Sequence, residues 1–86
     1  MIGQLVTSKA GHDKGTLYVV VAEDNEFVYL SDGKLKLPDN PKRKRFKHIQ
    51  PVNAYVGQEL IAKLETKQKV YAEEIKYALK VYSKQM

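Results

Sequence analysis

The spacing of apolar residues changes once along the chain. Up to about Asn53 they alternate with polar residues or form short unbroken runs, and from Ala54 they recur every three to four positions. The first pattern predicts strands over 3–8, 16–22, 27–30, 34–37 and 46–49, with Leu5 and Val6 of the first facing opposite sides. Residues 16–22 give the strongest signal. Leu17, Val19 and Val21 share one side and Tyr18, Val20 and Ala22 the other, so this strand belongs at the centre of a sheet or in a small barrel covered on its second face. Glu23–Glu26 turns the chain into Phe27–Leu30, and Asp32-Gly33 is a favoured pair for a two-residue hairpin turn. Lys34-Leu35-Lys36-Leu37 alternates, which predicts two buried leucines and two solvent-facing lysines that also protect an edge strand from pairing with other chains. Residues 38–41 read as a loop. Phe46 and Ile49 fall on opposite faces under strict alternation, so the last strand either bulges or leaves one of them partly buried, and Pro51 is expected to end it.

The second pattern predicts two helices. Val56, Leu60, Ile61 and Leu64 make one stripe, and Tyr71, Ile75, Ala78, Leu79 and Tyr82 make another. The intervening Thr66-Lys67-Gln68-Lys69 has no apolar residue, and Thr66 is placed to cap the second helix. The fold class is therefore mainly β with an α-helical C-terminal extension: a small barrel of about five strands over residues 1–53 and a helical cover over 54–86, together one domain.

Charge changes this picture more than composition does. Residues 1–33 carry two lysines against five acids, 34–54 carry seven cations against one acid, and 55–86 carry six against four, giving the net +5. Positive charge gathered in the central third points to a polyanionic partner. The run Pro41-Lys42-Arg43-Lys44-Arg45-Phe46-Lys47-His48 is its core and reads as a phosphate-binding edge, in which Phe46 serves either as a core anchor or as a stacking platform, the core role being expected. A second candidate is Lys9-Ala10-Gly11-His12-Asp13-Lys14-Gly15. Its glycines supply positive-φ positions for a tight loop, and Asp13 is expected to bond the backbone two residues on. The loop lacks the spacing of a nucleotide-binding P-loop.

Other classes of chemistry are poorly supplied. A chain of 86 residues has little room for a deep catalytic cleft, and there is no cysteine for a disulfide or a thiolate metal site. No cofactor, metal or small-molecule substrate is expected. With no long apolar run and no export signal at its start, the chain is expected to be cytoplasmic and free of the membrane.

The stretch from Gly3 to Val20, through Val6, Ala10-Gly11 and Asp13-Lys14-Gly15, resembles the KOW motif of ribosomal and transcription-elongation proteins. Asp32-Gly33-Lys34 and Pro41-Lys42-Arg43-Lys44, closing on Lys47-His48, resemble the continuation found in the archaeal and eukaryotic large-subunit ribosomal proteins of the L-fourteen-e family. The resemblance covers roughly residues 3 to 50. It implies a five-stranded SH3-like barrel that binds ribosomal RNA, with Gly11 as the motif's glycine and Lys14 as its loop lysine. His12 stands where that family has an arginine, which weakens the loop's phosphate contact at neutral pH, and the helices from Ala54 match no motif of the family.

The leading expectation is thus a non-catalytic RNA-binding protein of the translation apparatus, partnered with the large ribosomal subunit. Lys34, Lys36, Lys42, Arg43, Lys44, Arg45 and Lys47 would grip phosphates, and the loop residues Lys9, Gly11, His12 and Lys14, with His48, would complete the contact. The alternative is a protein-interaction module that holds a peptide between Tyr18, Tyr29 and Tyr55, and the helices offer a stripe to a possible protein partner. An enzyme would have to be a small ribonuclease using His12 and His48, in the absence of any metal-ligand or nucleophile motif.

Overall fold

A computed structural model describes residues 1–85. The chain order is β1 (Gln4–Ser8), β2 (Leu17–Glu23), β3 (Phe27–Ser31), β4 (Lys42–Arg45), a single 3-10 turn (Phe46–His48), β5 (Ile49–Tyr55), α1 (Gln58–Glu65) and α2 (Ala72–Lys84). The strands form one antiparallel sheet in the order β4-β3-β2-β1-β5, so the strand with two apolar faces is the central one. β4 and β5 are both edges, and no hydrogen-bonded ladder joins them to close the sheet.

The two faces of the sheet bury separate clusters. Val6, Tyr18, Val20, Val28, Leu30 and Ile49 pack together on one face, with Met1 at their margin. Leu5, Val19 and Val21 pack on the other, against Val56, Val70 and Ile75 and the half-buried stripe Leu60, Ile61, Leu64, Ala78, Leu79 and Tyr82. Leu5 and Val6 do face opposite ways. The helices therefore cover their own sheet, which settles where the apolar stripes go. The Lys63 ammonium reaches the Glu74 carboxylate at 2.9 Å and ties α1 to α2.

Helix ends differ from expectation in one respect. Thr66 closes α1, its hydroxyl donating to Ala62 O at 2.7 Å. The next residue, Lys67, takes φ +57°, and Lys67 N–H to Leu64 O and Gln68 N–H to Lys63 O complete the two bonds of a Schellman turn. α2 starts instead after Tyr71, whose N–H donates to the Glu74 carboxylate at 2.9 Å. Tyr71, expected in the apolar stripe, is exposed there.

The fourth and fifth strands are the main corrections. Residues 34–37 form no strand: the Asp32 carboxylate accepts the N–H groups of Lys34 and Lys36, both at 2.9 Å, and the Ser31 hydroxyl donates to Lys36 O at 2.7 Å. Side-chain bonds of this kind compete with a ladder and win here. Leu35 is left 86% exposed and Leu37 is exposed as well. The fourth strand is the basic run itself, and Phe46 is 37% exposed because the chain winds into the 3-10 turn at that point. Pro51 does not end the last strand. It pairs opposite Val6 within β5, where an edge position spares the missing N–H, and the strand runs on to Tyr55, past the expected boundary at residue 53.

Gly33 allows the Ser31–Lys36 loop to dock on α2. It takes φ +73°, and a Cβ there would lie 2.5 Å from Ala72 O and 2.9 Å from the Lys76 side chain, so only glycine fits this approach.

The helical cover is integral to the core, with Ile75 fully buried. Ile75→Ala is expected to lower stability by about 3 kcal/mol through lost burial and a residual cavity, whereas Leu35→Ala should stay within about 0.5 kcal/mol. Urea unfolding of the two variants checks the pair, and equal effects would show that α2 is not part of the cooperative unit.

Candidate nucleic-acid interface

The loop between β1 and β2 is closed at its neck by Ser8 N–H to Thr16 O at 3.1 Å and Gly15 N–H to Ser8 O at 2.8 Å, and inside by Thr16 N–H to Asp13 O at 2.9 Å. Gly11 and Gly15 both take φ +87°, the positive values the loop needs. Lys9 N–H donates to His48 O at 2.8 Å and fixes the loop beside the 3-10 turn.

Asp13 is not the turn residue that local sequence suggests. Its carboxylate receives four donors from three strands: Ser8 Oγ of β1 at 2.9 Å and Lys44 Nζ of β4 at 3.1 Å on Oδ1, and Tyr18 OH of β2 at 2.8 Å and Lys42 Nζ of β4 at 3.0 Å on Oδ2. A carboxylate has about four lone-pair sites, and all are used. Lys44 Nζ also donates to Ala10 O at 2.7 Å, and the Ser8 hydroxyl lies 2.9 Å from both that oxygen and Asp13 Oδ1. The Asp13 and Lys44 side chains are only 14% and 10% exposed. Burial alone would raise the Asp13 pKa, but the donors Lys42, Tyr18, Lys44 and Ser8 outweigh it and hold the carboxyl well below the usual carboxylate range. The Tyr18 hydroxyl is pushed up beyond the usual phenol range by burial first, then by its bond to Asp13 and that carboxylate's charge.

This arrangement divides the basic run. Lys42 and Lys44 pair opposite Leu30 and Val28 and turn toward the Asp13 side of the sheet as internal counterions. Arg43 and Arg45 pair opposite Tyr29 and Phe27 on the other side, and both guanidinium groups lie over the Phe27 ring, at 4.4 and 4.9 Å from its centre. Arg45 also meets Glu26 at 3.5 Å. A continuous phosphate-binding edge of four free cations is thus not what the run forms.

The other sequence-selected residues fall into two places. Lys9, Gly11, His12 and Lys14 are exposed on the β1–β2 loop, with Lys47 exposed and His48 half-buried on the adjoining turn. Lys34 and Lys36 sit apart, on the loop that docks on α2. Among the described residues, Lys9, Lys14, Arg43 and Lys47 form no ion pair. The acids Glu23, Asp24 and Glu26 sit at the last residue of β2 and in the turn after it, at the opposite end of that strand from the loop. Asp24 is occupied there: its carboxylate accepts Tyr29 OH at 2.7 Å and the N–H groups of Glu26 and Phe27, and these bonds, the tyrosine's first, lower its pKa.

The three tyrosines expected to line a peptide groove do not meet. Tyr18 is buried in one cluster with its hydroxyl on Asp13, Tyr29 packs toward the opposite cluster, and Tyr55 is exposed on the edge strand β5. Tyr55 instead borders a groove with Tyr77 and Tyr82 of α2.

Asp13→Asn is expected to cost about 3 kcal/mol at neutral pH, because it leaves the buried Lys44 ammonium without a compensating charge. Since the folded pKa is depressed, the stabilisation is fully present above the unfolded value of about 4 and is lost as pH falls below it toward the folded value. Urea midpoints measured from pH 7 to pH 2 should therefore fall below about pH 4 in the wild type and show a smaller acid dependence in the variant. Identical midpoints at pH 7 would show that the cluster is not a structural tie.

No family model matches the chain and no curated protein matches it.

Proposed function

We propose that the chain is a non-catalytic RNA-binding protein of the translation apparatus: an SH3-like module of the KOW type with a helical cover, acting in the cytoplasm on the RNA of the large ribosomal subunit. The observation that carries this reading is the saturation of Asp13. With its one acid consumed internally, the β1–β2 loop offers solvent the cations Lys9 and Lys14, the imidazole of His12 and an exposed glycine backbone, with Lys47 alongside. The N–H groups of Gly11 and His12 form no hydrogen bond among the described residues and are open to a phosphate oxygen. Folded RNA is recognised largely by shape and by phosphate and 2′-hydroxyl contacts, which suits a cationic loop with few base-reading side chains.

Arg43 and Arg45 extend the reading. Guanidinium groups already seated over Phe27 are held in place at reduced entropic cost; Arg43, which forms no ion pair among the described residues, keeps its N–H groups for phosphate or an unpaired base, while Arg45 shares its own with Glu26. A peptide groove has no comparable support, because its three tyrosines lie on different faces.

The test avoids Lys42 and Lys44, whose removal would disturb folding through Asp13. Binding to large-subunit ribosomal RNA is measured across a salt series for the wild type and for Lys9→Gln/Lys14→Gln/Lys47→Gln. With about five phosphate contacts the wild-type slope of log affinity against log salt should be roughly −3.5 to −4.5, and the triple variant should flatten it by about 2 to 3 while unfolding at the wild-type temperature. RNA recovered intact from both incubations is the expected result for a binder. A wild-type slope near zero, or unchanged binding by the triple variant, would overturn the reading.

A further inference from the structure

We propose that α2 and the Gly33 turn form a second phosphate-binding groove, which takes the sugar-phosphate backbone of the same RNA beyond the β1–β2 loop. This rests on the RNA-binding reading above and extends the contact to a helix that the KOW likeness does not reach.

The groove, of about 500 Å³, is lined by Thr16, Asp32, Lys34, Lys76, Lys80 and Ser83 together with the apolar Leu17 and Leu79. It exists because Gly33 seats the Ser31–Lys36 loop directly against the first turns of α2, which places Lys34 across from the helical lysines. Lys76 and Lys80 stand four residues apart on α2, a spacing at which like charges face each other and oppose helix formation. Three lysines thus border one depression. Among the described residues none of the three forms an ion pair, in contrast to Lys42, Lys44, Lys63 and Lys69. The one acid present, Asp32, has an oxygen committed to the N–H groups of Lys34 and Lys36.

The lining suits a phosphodiester. Lysines supply charge, and the hydroxyls of Thr16 and Ser83 supply short neutral donors of the kind that position nucleic-acid backbones. Its place fits as well. Thr16 directly follows Gly15, and its N–H donates to Asp13 O, so the groove opens where the loop's neck ends. A backbone that meets Lys14 has the groove as its continuation.

The experiment compares two double variants of equal net charge, Lys76→Gln/Lys80→Gln and Lys67→Gln/Lys69→Gln, with the wild type, on large-subunit ribosomal RNA across a salt series, with thermal unfolding as the folding control. The groove variant should unfold at or slightly above the wild-type temperature. It should bind roughly tenfold more weakly near 0.1 M salt and flatten the slope by about 1.5, and the Lys67/Lys69 variant should change the slope by less than half as much. If the wild type binds with a steep slope and the two double variants behave alike, the groove is overturned and the RNA-binding reading stands. If the wild type shows no salt-dependent binding, both fall. Competition by poly-glutamate as effective as by RNA at equal charge would also overturn the proposal, in favour of an acidic protein ligand.

Discussion

One carboxylate holds the molecule's two charged segments to each other. Asp13 collects Ser8, Tyr18, Lys42 and Lys44 on two oxygens, and these groups come from β1, β2 and β4. β4 has hydrogen-bonded ladder contact only with β3, so without Asp13 nothing polar would fix it to the β1–β2 loop apart from the Lys44 bond to Ala10 O, which itself belongs to the same cluster. Breaking a largely buried ion pair from one side leaves the other charge uncompensated, which is why such a cluster specifies a geometry even where it adds little net stability. Loop position, strand position and the orientation of two lysines are thereby one property.

That constraint decides what positive charge is available. A count along the sequence puts the maximum at Lys42–Arg45, yet the fold spends two of those cations inward and holds the other two on Phe27. Among the described residues, cations without an acidic partner are found outside the run as well as at Arg43: on the β1–β2 loop, on the turn at Lys47 and around the groove beside Gly33. Net charge measures how strongly a chain is attracted to a polyanion at long range, whereas contact depends on which ammonium groups are still unpaired at the surface. Here the two measures point to different residues.

The parts of the fold set by burial were legible. A run with two apolar faces had to be central, and a change to helical spacing with an all-polar break between stripes had to give two helices, both of which the structure has. What stayed hidden depended on bonds that pattern does not encode. Leu35 and Leu37 alternate with lysines as a strand would, but Asp32 takes the N–H groups a ladder would need. The basic run has no apolar alternation and still forms a strand, because its inward lysines meet a carboxylate about thirty residues earlier and its outward arginines meet an aromatic ring. The loop was picked out as a turn by its glycines, and the role of Asp13 was missed because two of its four partners, Lys42 and Lys44, are remote in sequence.

The same contrast explains why a helical cover can take part in binding at all. A cover needs only its inner stripe, Ile75, Ala78, Leu79 and Tyr82, and places no demand on the charge of its flank. α2 begins with Glu73 and Glu74, which suit the helix N-terminus, and its groove flank carries Lys76 and Lys80; Lys84, four residues further on, suits the C-terminus. Lys76 and Lys80 lie between the ends, where the helix dipole gives them no advantage and their mutual repulsion is a small cost. Gly33 then brings Lys34 to the same place at the cost of glycine's backbone entropy. Each of these choices is mildly unfavourable to the isolated fold, and a phosphate bound in the proposed groove would offset the repulsion among its three lysines.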